Sequence, residues 1–218
     1  MTIHDLTHPL SPSTPVYPGD DGVAIDVVDV AAEPSPDAPR RLNNSRLSLG
    51  LHNGTHIDAC FHFFNDRPTI DRAPLGQCCG PATVLDLSST SRAGVIDLGD
   101  LESERREIVG RRVLLVHTGW DKRFGAADYF SLHPVITGEA ARALVEWGVT
   151  LIGVDFPSVD RDPFEAHVQF LGAGTLIVEN LRGLGALVGR EVEFFALPLP
   201  VLGRDASPVR AIAIERDR

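Results

Sequence analysis

The chain has 218 residues, 43 % of them hydrophobic, and a formal net charge of −10 from 20 Lys and Arg against 30 Asp and Glu. That apolar content is too high for a disordered chain, and no window offers the ~18 uninterrupted apolar residues of a membrane-spanning helix. The acidic balance argues against a broad nucleic-acid or anionic-membrane surface.

The amino-terminal run MTIHDLTHPL has neither the basic nor the apolar region of a secretory signal. Residues 7–22 hold four prolines and two glycines and read as a loop. A β-rich run at 23–31 is followed by AEPSPDAPR (32–40), an expected exposed loop or lid. RLSLGLH (46–52) alternates apolar and polar residues and reads as a strand. Further strands are expected at 82–87, 112–118, 149–156, 175–181, 192–198 and 209–215. A helix is expected over 137–147, with Thr137 as N-cap and Gly148 just past its end. A second helix is expected from Asp162 as N-cap, with Pro163 at the first helical position, Glu165 at the third and Gly172 closing it. Strands outnumber helices and interleave with them, which points to a single α/β domain, 1–218, with a mixed sheet and packed helices. A domain of this size buries roughly 70 % of its unfolded surface. It needs no metal to fold, so a metal site in it has a functional reading.

The cysteines Cys60, Cys78 and Cys79 are odd in number, and two are adjacent. They form no disulfide framework and no CxxC pair, and together with the missing signal this reads as a cytoplasmic chain.

The histidines carry more information. His52, His56 and His62 lie within eleven residues, LHNGTHIDACFH, with Asp58 among them. Imidazoles and carboxylates are ligands for zinc and similar divalent ions. On a flat strand positions 52 and 56 stand about 13 Å apart, too far to share an ion, so the chain must turn between them. Gly54 permits the turn. A tight turn at 52–56 is expected, then a helical turn with Asp58 near its start and Asp58 and His62 on one face. A polar hydrogen-bond cluster at a strand end is the competing reading.

A second cluster follows the apolar strand LIGVDF: Asp155, Ser158 and Asp160 at its end, then His167 on the expected helix. Glu179 sits inside the apolar run LIVENL, where a carboxylate is costly to bury alone. Either a metal ion or an arginine offsets that cost.

The run HNGTHIDACFHF resembles the HxGTHxDxxxHF motif of the cyclase family of metal-dependent hydrolases, which includes arylformamidases and isatin hydrolase. The resemblance runs nearly end to end through DLTHPLSPSTPVYPGD, VLLVHTGW, LIGVDFPSVD, LIVENL and LPLPVLGRDASPVRAIAI. It implies a swivelling β/α/β-type fold. His52, His56 and Asp58 match a first metal site, with Asp58 as a bridging carboxylate. His167 and Glu179 match a second, and His62 matches the catalytic histidine. Asn53 and Cys60 stand where the family commonly has Thr and Pro. Neither is a ligand position, though Cys60 is expected near the pocket.

The implied cofactor is one or two divalent ions, zinc first and manganese as the alternative. A zinc ion brings the pKa of bound water to about 7, and His62 is expected to move the protons. The expected activity is hydrolysis of an N-formyl aryl amine to amine and formate. Opening of a cyclic amide is the alternative, and a silent metal- or ligand-binding module the third reading. Tyr17, Ser158 and Asp160 are the expected substrate contacts. Apart from a small amide substrate, the expected partner is the chain itself, as homodimer or homotetramer with residues 1–45 at an interface.

Overall fold

The computed structural model describes residues 1–28, 43–89 and 94–215. The expected lid at 32–40 and the last residues of the 23–31 strand lie outside the described residues. In chain order the first strands are β1 (Thr2–Asp5), β2 (Ala24–Val27), β3 (Ser45–Ser48), β4 (His56–Asp58) and β5 (Cys79–Asp86). There follow β6 (Val95–Ile96), helices α1 (Leu98–Ser103) and α2 (Arg105–Ile108), β7 (Val113–His117), β8 (Val135–Ile136) and helix α3 (Gly138–Glu146). The chain continues through β9 (Leu151–Val154), helix α4 (Glu165–Ala173), β10 (Leu176–Glu179), β11 (Val192–Phe195), β12 (Ala206–Pro208) and β13 (Ile212–Glu215).

Nine strands form one sheet in the order β1-β13-β11-β5-β7-β9-β10-β4-β12. Its centre, β5-β7-β9-β10, is parallel, and antiparallel pairs flank it on both sides. The unbroken apolar runs at its centre follow from burial on both faces. Alternate side chains of β7 enter opposite cores: Val113 and Leu115 join Leu6, Leu151 and Val178, while Leu114 and Val116 join Ile152, Leu144 and Phe170. The helices cover the second face. Gly153 of β9 faces the first core, where a Cβ would come within 2.7 Å of Leu115 and Leu181. No helix among the described residues is long and apolar enough to cross a membrane.

Helix α3 is capped as its sequence implies. The Thr137 hydroxyl accepts from the Ala140 amide, and Gly148 follows in a left-handed conformation. Helix α4 corrects the expectation. It begins at Glu165, after Phe164 at φ +60, and ends against Gly174, with Gly172 inside it. Its cap comes from Asp160 instead of Asp162: one oxygen of Asp160 accepts from the amides of Ala166 and His167, at 2.6 and 3.1 Å. A second correction concerns 56–58. The turn at 51–55 is present, but His56–Asp58 is a strand, because β10 and β12 flank it and supply its ladder. The short helical turn comes later, at Cys60–His62. The strand expected at 46–52 stops at Ser48, so His52 belongs to the turn.

Candidate metal centre and cavity

Three strands deliver the site. In β4, alternation turns His56 and Asp58 to one face while Ile57 enters the core opposite. Antiparallel pairing sets Glu179 of β10 opposite His56 and Ile177 opposite Asp58. On the other side, pairing with β12 sets Ala206 opposite Asp58, which brings Asp205 to the strand end. His52 comes from the turn before β4, which Gly54 allows with its φ of +68. His62 closes the 3-10 turn after it, its amide bonded to Ala59 O. His167 comes from the first turn of α4, beyond the carboxyl end of β9, where parallel α/β sheets place their ligands.

The side chains converge closely. His52 Nδ1 lies 2.9 Å and His56 Nε2 3.4 Å from Asp58 Oδ1. Glu179 bridges onward, 3.4 Å from His56 Nε2 and 3.6 Å from His167 Nε2. One donor atom from each of His52, His56 and Asp58 can meet within 4.8 Å, and the same holds for Asp58, His62 and His167. Two ligands held tetrahedrally at ~2.1 Å from one ion stand about 3.4 Å apart, and the separations here run from 2.9 to 3.6 Å.

Burial makes the case for an ion. Asp58 is 0 % exposed, His56 1 %, His167 3 % and Glu179 4 %. Among the described residues His56 Nε2 and both Asp58 oxygens have no hydrogen-bond partner, although buried polar atoms in proteins are as a rule paired. The close approach of His52 to Asp58 does not have hydrogen-bond geometry. The outer ring nitrogens, by contrast, are occupied. His56 Nδ1 is 2.9 Å from Gly54 O, His167 Nδ1 2.5 Å from Asp160, and His52 Nε2 2.8 Å from Asp205. Each acceptor fixes its imidazole so that the other nitrogen is free toward the cluster, the outer arrangement that metal-binding histidines use. The donor set, the orphaned atoms and the fixed tautomers fit a divalent ion or a pair of them.

The electrostatics agree. Burial alone favours neutral His52, but Asp58 and Asp205 outweigh it and hold its pKa at about 10. Burial likewise opposes the charge on His56, and Asp58 and Glu179 raise its pKa to about 9. Burial pushes the Asp58 carboxyl up, and His52 and His56 overcome that and hold it well below the usual carboxylate range. In His167 burial is outweighed by the Asp160 hydrogen bond and Glu179, so its pKa is raised. His62 goes the other way: burial lowers its pKa, with Asp58 only partly opposing.

Without metal, the protons on His52 and His56 balance the buried carboxylates. A histidine whose pKa is raised from 6.5 on folding contributes stability that is complete below pH 6.5 and lost as the pH climbs through the folded value. The melting temperature of chelator-treated protein is expected to fall between pH 6.5 and about 9, and a divalent ion is expected to remove most of that slope. Thermal melts with and without metal check this. A metal-free melting temperature flat across that window contradicts it.

The cluster opens into a cavity of about 450 Å³. Its walls include Tyr17, Phe63, Phe130 and Phe164, with Ser158, Asn180 and Asp205. Phe63 stacks on His167 with ring centroids 4.9 Å apart, and Tyr17 meets Phe130 edge-on at 5.7 Å. A larger groove of about 780 Å³ lies over β5 and β11, but no histidine lines it. The structure thus brings His52, His56, Asp58, His62, His167 and Glu179 together, with Tyr17 and Ser158 on the wall.

Asp160 is a correction, since both its oxygens are committed to His167 and the start of α4. It holds the ring of His167 and is not among the residues that line the cavity. Cys60 is buried in the 3-10 turn and is not a wall residue either. Burial raises its pKa and keeps the thiol protonated. Asp155 is also structural: it accepts from the amides of Thr118 and Gly119 and the Thr118 hydroxyl.

Phe130 and Phe164 of the cavity wall escaped the sequence reading, and so did two polar residues of the site. Asp205 contacts His52 across 153 residues of chain. Asn180, at φ +57, donates to Gly54 O and accepts from the Tyr129 hydroxyl, bracing the turn that carries His52. A polar residue directly after Glu179 was the one available signal for Asn180.

Comparison with known proteins gives concordant results. A model of the family described as putative cyclase matches residues 4–161. The kynurenine formamidase of Bacillus mycoides (strain KBAB4) is 34 % identical over 212 residues, 95 % of this chain and 95 % of that protein. Isatin hydrolase A from Labrenzia aggregata, bound to benzyl benzoate, aligns with a TM-score of 0.86 at 26 % identity, over 99 % of this chain and 94 % of that one. An isatin hydrolase bound to the product analogue thioisatinate also gives a TM-score of 0.86, at 22 % identity over 98 % of this chain and 92 % of that one, a likeness of fold. A family model that spans most of the sequence, and a relative one-third identical along nearly its whole length, carry the assignment: this chain belongs to the cyclase family.

Proposed function

We propose that the chain is a metal-dependent amide hydrolase that splits an N-formyl aryl amine into the amine and formate. One observation carries the reading: buried, partnerless ligand atoms of His56 and Asp58 lie beneath a cavity with aromatic walls and a histidine of lowered pKa. His52, His56 and Asp58 would hold one ion, and His167 and Glu179, with Asp58 shared, a second. A bound divalent ion supplies Lewis acidity and water activated at neutral pH.

The protein's own groups do the rest. Tyr17, Phe63, Phe130 and Phe164 offer faces and edges to an aryl ring, with ring contacts of the kind worth about 0.5–1.5 kcal/mol each beyond area burial. His62 is the most accessible histidine of the cluster, with 30 % of its side chain exposed. Its lowered pKa keeps it neutral, ready to accept a proton from water and pass it to the leaving nitrogen. Water's oxygen ends on the formyl carbon and its proton on nitrogen.

Opening of a cyclic aryl amide is the second reading, supported by the likeness to isatin hydrolase A. A screen for formate release from N-formylkynurenine, run beside ring opening of isatin, separates the two. Formate release with at least tenfold higher kcat/KM supports the first, and the reverse ratio supports the second.

Zinc is the ion we expect, and manganese suits the same His, Asp and Glu donors. We assign the enzyme to the cytoplasm, an assignment that three free cysteines support. We also expect a homodimer or homotetramer. The two-stranded antiparallel sheet of β2 and β3, separate from the main sheet among the described residues and with Ile25, Val27 and Leu47 exposed, supports burial against a second copy.

A further inference from the structure

Asp205 lines the cavity and, with His52 and His62, brings a further set of donor atoms within 4.8 Å of one another, yet it lies outside the two sets proposed above to hold ions. Its backbone is pinned: Asp205 O accepts from Ala59 N at 2.8 Å, and the next residue opens β12 in register with Asp58. Its side chain is therefore carried by the sheet, which gives it a defined reach. One oxygen, Oδ2, faces two histidines, 2.8 Å from His52 Nε2 and 3.5 Å from His62 Nδ1. The two rings lie side by side with centroids 4.2 Å apart. His52 turns its other nitrogen to Asp58.

We propose that Asp205 is a positioning residue for both halves of the reaction, accepting from His52 Nε2–H so that Nδ1 faces the metal, and holding Nδ1 of His62 so that its ring keeps the orientation needed for proton transfer. The proposal rests on the reading of His52 as a ligand and His62 as the proton carrier. Its chemistry is local. A carboxylate behind a metal-bound imidazole fixes the tautomer and raises ligand basicity, and removing such a partner typically costs about 10–100-fold in metal affinity or activity. Sharing one carboxylate between ligand and proton carrier ties the orientation of His62 to the ring that binds the ion. Asp160 behind His167 serves a ligand alone.

The test compares Asp205→Ala, Asp205→Asn and the unchanged protein, measuring zinc affinity by chelator competition and kcat and KM at saturating zinc. Asp205→Ala is expected to bind zinc about 10–100-fold more weakly. At saturating zinc it is expected to keep KM within about twofold and to lose about tenfold in kcat. The asparagine oxygen still accepts from His52, so Asp205→Asn is expected to recover most of the affinity and less of the kcat. Wild-type zinc affinity in Asp205→Ala, or an affinity loss that asparagine does not recover, overturns the His52 half. A kcat that saturating zinc restores fully in Asp205→Ala overturns the His62 half. If the unchanged protein turns over without metal, the underlying site reading fails and the proposal with it. If the unchanged protein needs zinc and Asp205→Ala matches it, the proposal alone fails.

Discussion

His62→Ala is expected to lower kcat on the order of 10³-fold while leaving the bound metal unchanged. General acid-base groups contribute about 10²–10⁴-fold, and in the proposed reaction His62 serves both proton transfers. The reason metal should stay is structural. His56, Asp58, His167 and Glu179 are buried and fixed by strands β4 and β10 and by helix α4, whereas His62 sits at the cavity wall with 30 % of its side chain exposed. Metal analysis of the purified variant, beside steady-state kinetics, decides it. His62 also lies within reach of Asp58 and His167, so a variant that loses metal in proportion to activity would make His62 a ligand instead. A variant with full activity would remove it from the mechanism.

The second large effect is expected at Asp58. It belongs to two of the three candidate ligand triads among the described residues and is fully buried, with both oxygens lacking hydrogen-bond partners there. Asp58→Asn keeps the volume and removes the charge that holds His52 and His56 protonated in the metal-free protein. Metal binding is expected to be lost. Activity is expected to fall by about 10³–10⁴-fold, the equivalent of the several kcal/mol a metal contributes. A more specific signature accompanies that loss. Asp58 is the largest of the groups that raise the pKa of His52 and His56, so without it both are expected to fall and the loss of metal-free stability between pH 6.5 and about 9 should flatten. Thermal melts of the metal-free variant across this window read the effect. An unchanged slope would mean that Asp58 does not set the charge state of the cluster.

The parts of this site that could be read in the sequence are those that local spacing dictates. His52, His56 and Asp58 lie within seven positions around a glycine, and the distance argument alone demanded a turn there. Thr137 and Gly148 marked helix α3 by side-chain and backbone preferences that act within a few residues. Reading failed where a distant element overrides a local signal. Asp162 has the right spacing for a helix cap, yet Asp160 makes the bonds, because Phe164 adopts a left-handed conformation and delays the helix. His56–Asp58 has no length to announce a strand, and becomes one because β10 and β12 pair with it. Asp205 has no local signal at all. Its role exists only because β12 lies beside β4 in the folded sheet. Glu179 was ambiguous between an arginine and a metal partner, and the fold gives it His56 and His167.

Metal-dependent turnover is the property that the proposed chemistry requires most directly. Chelator-stripped protein should be assayed for formate release from an N-formyl aryl amine and for opening of a cyclic aryl amide while zinc or manganese is titrated back. The expected result is no turnover without metal, and recovery that rises with bound ion and saturates at one or two ions per chain. Undiminished turnover in protein shown by elemental analysis to be metal-free would contradict the account. So would fully reloaded protein that hydrolyses neither class of amide.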